Sequence, residues 1–515
     1  MKRNQTLNLI SAVALVTLLA KMLGIVREAL QARVFGTQIA ADLYTIANNH
    51  TIYLFTTAAY ALCVAAVPIL TPRLRRDRKE GYAAADNLIT VTVLLSLLVA
   101  ALGIAVTFTP WAASLWDGEQ GESLRLASYL RIMMLTLPVI VLTYLLVALF
   151  QSQEHFILQG SMSIPYNLAL ILFLALFAGQ LGVGGYVAAV SAAWLLQLGM
   201  TIPYGIKERY RFRPRLDLKA GYVRTFFKTA AVTVLTASIF LFCYLQDSGM
   251  AASLTDSPVS VFYYADKLFT PLTTTLIYSI STVLFPKFSQ EYATVDPAVY
   301  RRYVWGILRY TLLVILPVSV VLAIFGTPIV KVLFEGGSFD AASTAATGTV
   351  FSIYALSMAG FCALDLLSKA YYTMEKTLAP LAVNGGILLL NWGLNRLLSP
   401  SLGAAGLALA TALSLTAGGI MLAILLLRKV SDIRLSPLLK CLAGTLVTGE
   451  LLYPAAGFAV SGDEGKILLV IKCLVLGGLA AGVYLVFMYL TRQEDFFDLL
   501  RRYFPNRFPK DSKEK

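Results

Sequence analysis

The residues best able to do chemistry here are charges set in apolar sequence. The stretch Ala20–Gly36 reads AKMLGIVREALQARVFG and carries Lys21, Arg27, Glu28 and Arg33. The next apolar stretch holds Asp42, Asn48, Asn49 and His50, and a later one holds Asp266 and Lys267. A charge at mid-bilayer costs about 2.5–3.5 kcal/mol on insertion scales, so such groups face a protein interior or a water-filled cavity. Cations with few carboxylates suit an anion rich in oxygens, a diphosphate above all. Guanidinium grips such oxygens with two parallel N–H donors, and ammonium supplies a point charge. An organic cation would be served poorly. The expected binding set is Lys21, Arg27, Asp42, Asn49 and Lys267, with Asp42 orienting the cations and Glu28, Asn48 and Asp266 in support. Glu28 is not expected to neutralise Arg27 directly, because i,i+1 neighbours do not face each other on a helix. Arg33, near the end of its segment, reads as a snorkelling side chain, and Arg309, Asp365, Lys369 and Arg396 as helix-end or paired structural charges.

The elements that must position these groups follow from composition. The chain has 515 residues, 58% hydrophobic and 14% charged, against about 25% charged in soluble proteins. Mean hydropathy is +0.72. This predicts an all-α polytopic membrane protein. Apolar segments long enough to span fall near 7–35, 40–71, 84–112, 124–151, 157–180, 182–206, 223–247, 258–290, 300–326, 341–373, 378–398, 402–428, 436–460 and 465–491, fourteen in all. The first runs on through Lys21 with no small-residue cleavage site, so it reads as a retained span. Cys63, Cys243, Cys362, Cys441 and Cys473 lie singly in apolar segments and read as core residues. Two histidines in the whole chain exclude a histidine-rich metal site.

Lysine and arginine set the orientation. Loop 2–3 holds Arg73, Arg75, Arg76, Arg78 and Lys79; loop 6–7 holds Lys207, Arg209, Arg211, Arg213, Arg215 and Lys219; loop 12–13 holds Arg428, Lys429 and Arg434. The tail is basic as well. The opposite loops carry Asp117, Glu119 and Glu122, then Asp247 and Asp256. Both termini are therefore expected in the cytoplasm. The YRFRPRL run of loop 6–7 reads as a connector at an anionic membrane surface, not as a nucleic-acid site.

An internal repeat organises the spans. YTIANN (44–49) matches FYYADK (262–267) at an offset of 218. LGVGGYVAA (181–189) matches LGAAGLALA (402–410) at 221, and FQSQEH matches YYTMEK at the same 221. Two six-helix repeats of like topology are expected to relate by an axis along the membrane normal, as in transporters that rock two bundles. The expected domains are 1–206 and 223–428, joined by the basic connector 207–222, then two extra helices within 429–491 and a basic tail, 492–515.

These features resemble the MurJ family of lipid II flippases, within the superfamily of multidrug and oligosaccharidyl-lipid exporters. LGIVREALQARVFG followed by AADLY (23–44), YYADKL with VLFPKFSQEY (263–292) and the fourteen-helix plan carry the resemblance. In that family the first motif reads LGxxRD with a cation upstream. Arg27 matches the cavity arginine, Lys21 the upstream cation and Asp42 the aspartate of the second helix. Glu28 replaces the usual aspartate, and Lys267 stands where arginine is usual. The family's second helix also carries an arginine pair and a glutamate-glycine, where this chain has Leu54, Phe55 and Thr56, then 57–60.

The resemblance implies a bacterial cytoplasmic-membrane flippase with no cofactor and no covalent chemistry. Its partners would be a lipid-linked saccharide, membrane lipids and cell-wall synthesis proteins, with no nucleic acid. Lipid II would move from the inner to the outer face by alternating access, its tail in a groove along the last two helices. Membrane potential or an ion gradient stays open as the energy source. Sodium is not supported, since no acid falls inside the seventh segment. Alternatives are another polyprenyl-diphosphate saccharide as cargo, a drug or cation antiporter, which would want unpaired cavity acids, and a membrane glycosyltransferase, which would want catalytic acids on a large outside loop. Cysteines placed at Glu119 and Glu80 should label from opposite sides of intact cells; labelling from one side would overturn the fourteen-helix count.

Overall fold

A computed structural model describes all residues except 1–2, 117–118, 238, 253, 255–258, 375, 429, 431–433, 461–464 and 504–515. Asp117, Asp256 and Lys429, all used above for orientation, lie outside the described residues. In chain order the helices are α1 (Arg3–Phe35), α2 (Ile39–Asn48), α3 (Leu54–Arg76), α4 (Arg78–Val106), α5 (Pro110–Ser114), α6 (Gln120–Met134), α7 (Leu137–Gln151), α8 (Phe156–Ser161), α9 (Ser163–Leu176), α10 (Ala178–Gly199) and α11 (Ile202–Lys207). They continue as α12 (Gly221–Ala237), α13 (Ile239–Ala251), α14 (Val259–Thr294), α15 (Pro297–Ile324), α16 (Gly326–Leu333), α17 (Ala341–Thr373), α18 (Leu378–Leu427), α19 (Ser436–Val460), α20 (Lys466–Leu490) and α21 (Glu494–Tyr503). The molecule is nearly all helix. Among the described residues no strand forms; Gly336 and Phe339 make an isolated bridge. Nine helical stretches among the described residues are long and apolar enough to cross a membrane. α4 exposes Leu94, Leu95, Leu97, Leu98 and Leu102 along its length, as a helix of a membrane protein does toward lipid.

Each expected segment is helical, but the ends and joins differ. Segments 11 and 12 run together as α18, bent at Gly403 with φ 55° and ψ −132°. The glycine that the offset of 221 pairs with it, Gly182, bends α10 at φ 56° and ψ −158°. Both positions need a backbone that side-chain-bearing residues rarely adopt. The repeated LG dipeptide thus encodes a repeated kink. The tail is also not simply basic: its first part forms α21, whose Phe496 and Leu499 pack on Leu313, Cys441, Tyr484 and Met488.

The chain packs as two compact units. The first comprises Met1–Leu241, Ser248–Tyr263 and Gly336–Asp340; the second comprises Phe242–Asp247, Tyr264–Glu335 and Ala341–Lys515. The sequence draws its boundary at 207–222, whereas the first unit runs on through α12, which packs against α3. In this unit α1 packs on α8 and α9, and α3 also lies against α4 and α7. The connector is tied down. Glu208 takes an ion pair from Arg78 and a 2.7 Å contact from His155 Nε2. Burial alone would raise the Glu208 carboxyl; the His155 hydrogen bond and the Arg78 charge outweigh it and hold it below its usual range. In the second unit α17 packs on α15, α16 and α18, and α19 on α15 and α20. Arg309 reaches Asp495 of α21 at 3.0 Å.

A short segment closes over the end of α1. Ser338 donates its backbone N–H to the Arg33 carbonyl at 2.7 Å. Gly337 sits at φ +60°, and a Cβ there would lie 2.3 Å from the Arg33 carbonyl oxygen. Gly337→Ala should therefore lower stability by about 1–3 kcal/mol, the scale of a strained left-handed residue. Gly121→Ala, with nothing within 4 Å, should not. Thermal unfolding in detergent compares the two.

Candidate functional site

α1 carries Arg27 and Glu28 into the interior of the first unit, 12% and 6% exposed as side chains. They form an ion pair. This corrects the expectation that i,i+1 neighbours cannot meet. Their Cβ directions do diverge, but Arg27 is long enough to fold back when a common wall confines both side chains. Tyrosines make that wall. Arg27 lies over the Tyr166 ring at 5.3 Å from its centroid, and the Tyr263 hydroxyl donates to Glu28 Oε1 at 3.4 Å. Tyr186 donates to Gln31 Oε1 at 2.8 Å and packs on Tyr44 and Phe35. Tyr44 in turn meets Tyr263 edge-on. Arg27 Nε and Glu28 Oε2 are buried without a hydrogen-bond partner. An unmet donor and an unmet acceptor side by side are a demand for a ligand or water.

The other predicted residues fall in several places. Among the described residues Asp42 meets no cation: its Oδ1 accepts the Ser260 N–H at 2.8 Å, in the first turn of α14. There it satisfies one of the helix's orphan donors and sits at the positive end of its dipole. Asn48 is buried on α2, and Asn49 opens a π-helical turn over Asn49–Tyr53 and donates to Ser248 Oγ at 2.9 Å. Lys21 is exposed on α1. Asp266 and Lys267 belong to the second unit, 3.4 Å apart, with Thr270 donating to Asp266 at 2.6 Å. Among the structural charges, Lys369 pairs with Asp365 at 3.0 Å and Arg396 covers Trp392.

Sequence reasoning missed two features. One is the tyrosine wall. Its signal was available, since Tyr166 and Tyr186 are polar-tipped aromatics in apolar spans and Tyr263 stands in YYADKL. The other is Asp247, read as part of loop 7–8. It is 0% exposed inside α13, so the premise that no acid lies inside the seventh segment does not hold. Its carboxylate accepts from Thr411 at 2.7 Å, Asn395 at 2.9 Å, Tyr354 at 3.2 Å and Asn391 at 3.4 Å, all in the second unit. Among the described residues no ion-pair partner reaches it, and Asn395 Oδ1 has no hydrogen-bond partner.

Apolar spans that fold around buried charges define a polytopic membrane protein. Comparison with known proteins narrows this. The chain belongs to the family described as Lipid II flippase MurJ, whose model matches residues 31–490. A lipid II flippase MurJ from Burkholderia cenocepacia is 26% identical over 406 residues, covering 76% of this chain and 78% of that protein. A solved structure described as lipid II flippase MurJ, inward closed conformation, superposes with TM-score 0.77 at 20% identity, over 95% of this chain and 99% of that one. An inward-facing MATE family multidrug resistance transporter of the MOP superfamily reaches 0.64 at 12% identity, over 80% and 94%. At these identities the structural likeness is one of fold. As a family member the chain is a multi-pass protein of the bacterial inner membrane.

The buried pair gives a stability test that separates structure from function. Arg27→Leu alone strands Glu28 and should cost about 3–5 kcal/mol, whereas Arg27→Leu with Glu28→Leu should be near neutral. Thermal unfolding of the two variants measures the difference.

Proposed function

We propose that this chain flips lipid II, the undecaprenyl-diphosphate-linked peptidoglycan precursor, from the inner to the outer face of the membrane. The observation that carries the reading is the buried Arg27–Glu28 pair, with an unmet donor and an unmet acceptor, inside a helix of a MurJ family member. A sugar diphosphate cannot cross hydrocarbon with its polar groups unsatisfied. Arg27 is the diphosphate ligand: Glu28 holds it at rest, and phosphate oxygens compete for the guanidinium fork. Lys21 and Asn49 add polar groups in the first unit and Lys267 in the second, and the two six-helix repeats work by alternating access with both termini cytoplasmic. No bond is made or broken in the cargo.

A second cargo, another polyprenyl-diphosphate saccharide, is favoured by one observation. Where relatives of this family carry an arginine pair, Leu54, Phe55 and Thr56 follow the π-turn, and the Thr56 hydroxyl is spent on the Ile52 carbonyl at 2.8 Å. The energy source is membrane potential or an ion gradient. The Asp247 carboxylate, with the Thr411 and Tyr354 hydroxyl oxygens against it, fits a monovalent cation, and the unmet Oδ1 of Asn395, whose amide nitrogen touches the carboxylate, supports that fit. A bound sodium ion would supply charge there that no cationic side chain among the described residues provides.

The test is transport of labelled lipid II in proteoliposomes. The Arg27→Leu, Glu28→Leu double variant, folded by the measure above, should lose transport by roughly tenfold or more, as expected for a lost hydrogen bond to a charged group at about 1.5–3 kcal/mol. Arg27→Lys should recover part of it. Normal transport by the double variant would sink the assignment. Unlabelled lipid-linked oligosaccharides competing better than lipid II would favour the second cargo.

A further inference from the structure

The first unit holds an apolar cavity that the transport reading does not use. Its volume is about 580 Å3, and Leu94 of α4, Leu142 and Leu146 of α7, Ile206 of α11, and Phe212 and Pro214 of the connector line it. Leu94 is 50% exposed and Ile206 74%, so its mouth opens on the surface that faces lipid. The volume lies within the about 300–1,000 Å3 of small-molecule sites.

The connector forms one wall, with neither helix nor strand from Tyr210 to Leu216. Tyr210, Phe212 and Pro214 line the cavity, and Arg209, Arg211, Arg213 and Arg215 alternate with them, all exposed. This strap is fixed to α4 along its length. Tyr210 donates to Asp86 at 2.6 Å, the Arg215 N–H to Thr90 Oγ1 at 3.2 Å, and the Asp217 N–H to Asn87 Oδ1 at 2.6 Å. Asp86 accepts from Tyr210 and faces Arg213 and Arg215, so it offsets part of their charge, but the four arginines of the strap outnumber it and the rim is cationic. An apolar slot open to lipid, under a fixed row of arginines at the span ends, combines the two halves of an anionic amphiphile's binding site.

We propose that this cavity binds one acyl chain of an anionic phospholipid from the leaflet on the connector's side, with its phosphate held by Arg211, Arg213 and Arg215. The lining excludes a soluble phosphate compound, and the rim selects against neutral lipid. This inference does not rest on the identity of the transported cargo.

The experiment uses the full chain reconstituted in vesicles of equal phosphatidylglycerol and phosphatidylcholine, extracted in mild detergent and weighed by native mass spectrometry. One phosphatidylglycerol should be retained, in roughly tenfold preference over phosphatidylcholine. Leu146→Trp and Ile206→Trp, which fill the cavity from two different helices, should each lose it. Arg211→Gln, Arg213→Gln and Arg215→Gln together should keep a retained lipid but bring the two kinds to near parity. Thermal unfolding checks that each variant is folded, and either filling variant alone suffices. Equal retention of both lipids by the unaltered chain overturns the proposal. So does unchanged phosphatidylglycerol in a folded filling variant, which would mean a diffuse surface layer. Displacement by lipid II would assign the cavity to the cargo's tail and overturn it as well.

Discussion

The burial of one guanidinium governs the first unit. An arginine inside a membrane helix must meet an opposite charge, water or a polar cavity. Arg27 meets Glu28, and the pair is held by rings from other segments of the chain, Tyr166 and Tyr263. The helices that supply those rings must therefore converge on α1, as α9 does by direct packing. Buried ion pairs add little net stability, because desolvation offsets attraction. What such a pair does provide is a charge that can be exchanged. Glu28 keeps a second partner, the Tyr263 hydroxyl, besides the guanidinium.

Backbone geometry supports this chemistry at a few positions. The kinks at Gly182 and Gly403 let long apolar runs turn without an exposed loop, and they share a conformation because they share a repeat position. Gly337 allows a short segment to reach the Arg33 carbonyl. Asp42 caps a helix start that sequence motifs associate with the site, so a residue grouped with the ligands proves to position α14. A carboxylate in that place fixes where the YYADKL stretch begins, and with it Tyr263.

Much of this was legible in the sequence. Helix content followed from hydropathy, and Arg27 from the price of a charge at depth. The offset of 221 paired Gly182 with Gly403 as a repeat, and the kink that both carry was not read from it. Contacts between segments were not legible. The pairing of Arg27 with Glu28 depends on a wall made by residues more than a hundred positions away. Asp247 was misplaced because the hydropathy of its segment falls off near it, while α13 itself continues to Ala251. A window of hydropathy marks where lipid contact ends, and a buried polar residue beyond that point looks like loop.

Two of the buried carboxylates, Glu28 and Asp247, show how environment divides labour among like groups. Glu28 has a cation beside it and one oxygen unmet, so its charge is balanced within the site. Asp247 has four neutral donors and no cation among the described residues. Hydroxyl and amide dipoles orient toward a carboxylate but cannot cancel its charge. An approaching anion changes the balance at the first site by competing for Arg27. It finds nothing to compete for at the second, where only a cation or a proton completes the charge. One cluster is therefore open to competition by an anion and the other only to neutralisation by a cation or a proton, and the chemistry of their neighbours, not of the acids themselves, makes that division.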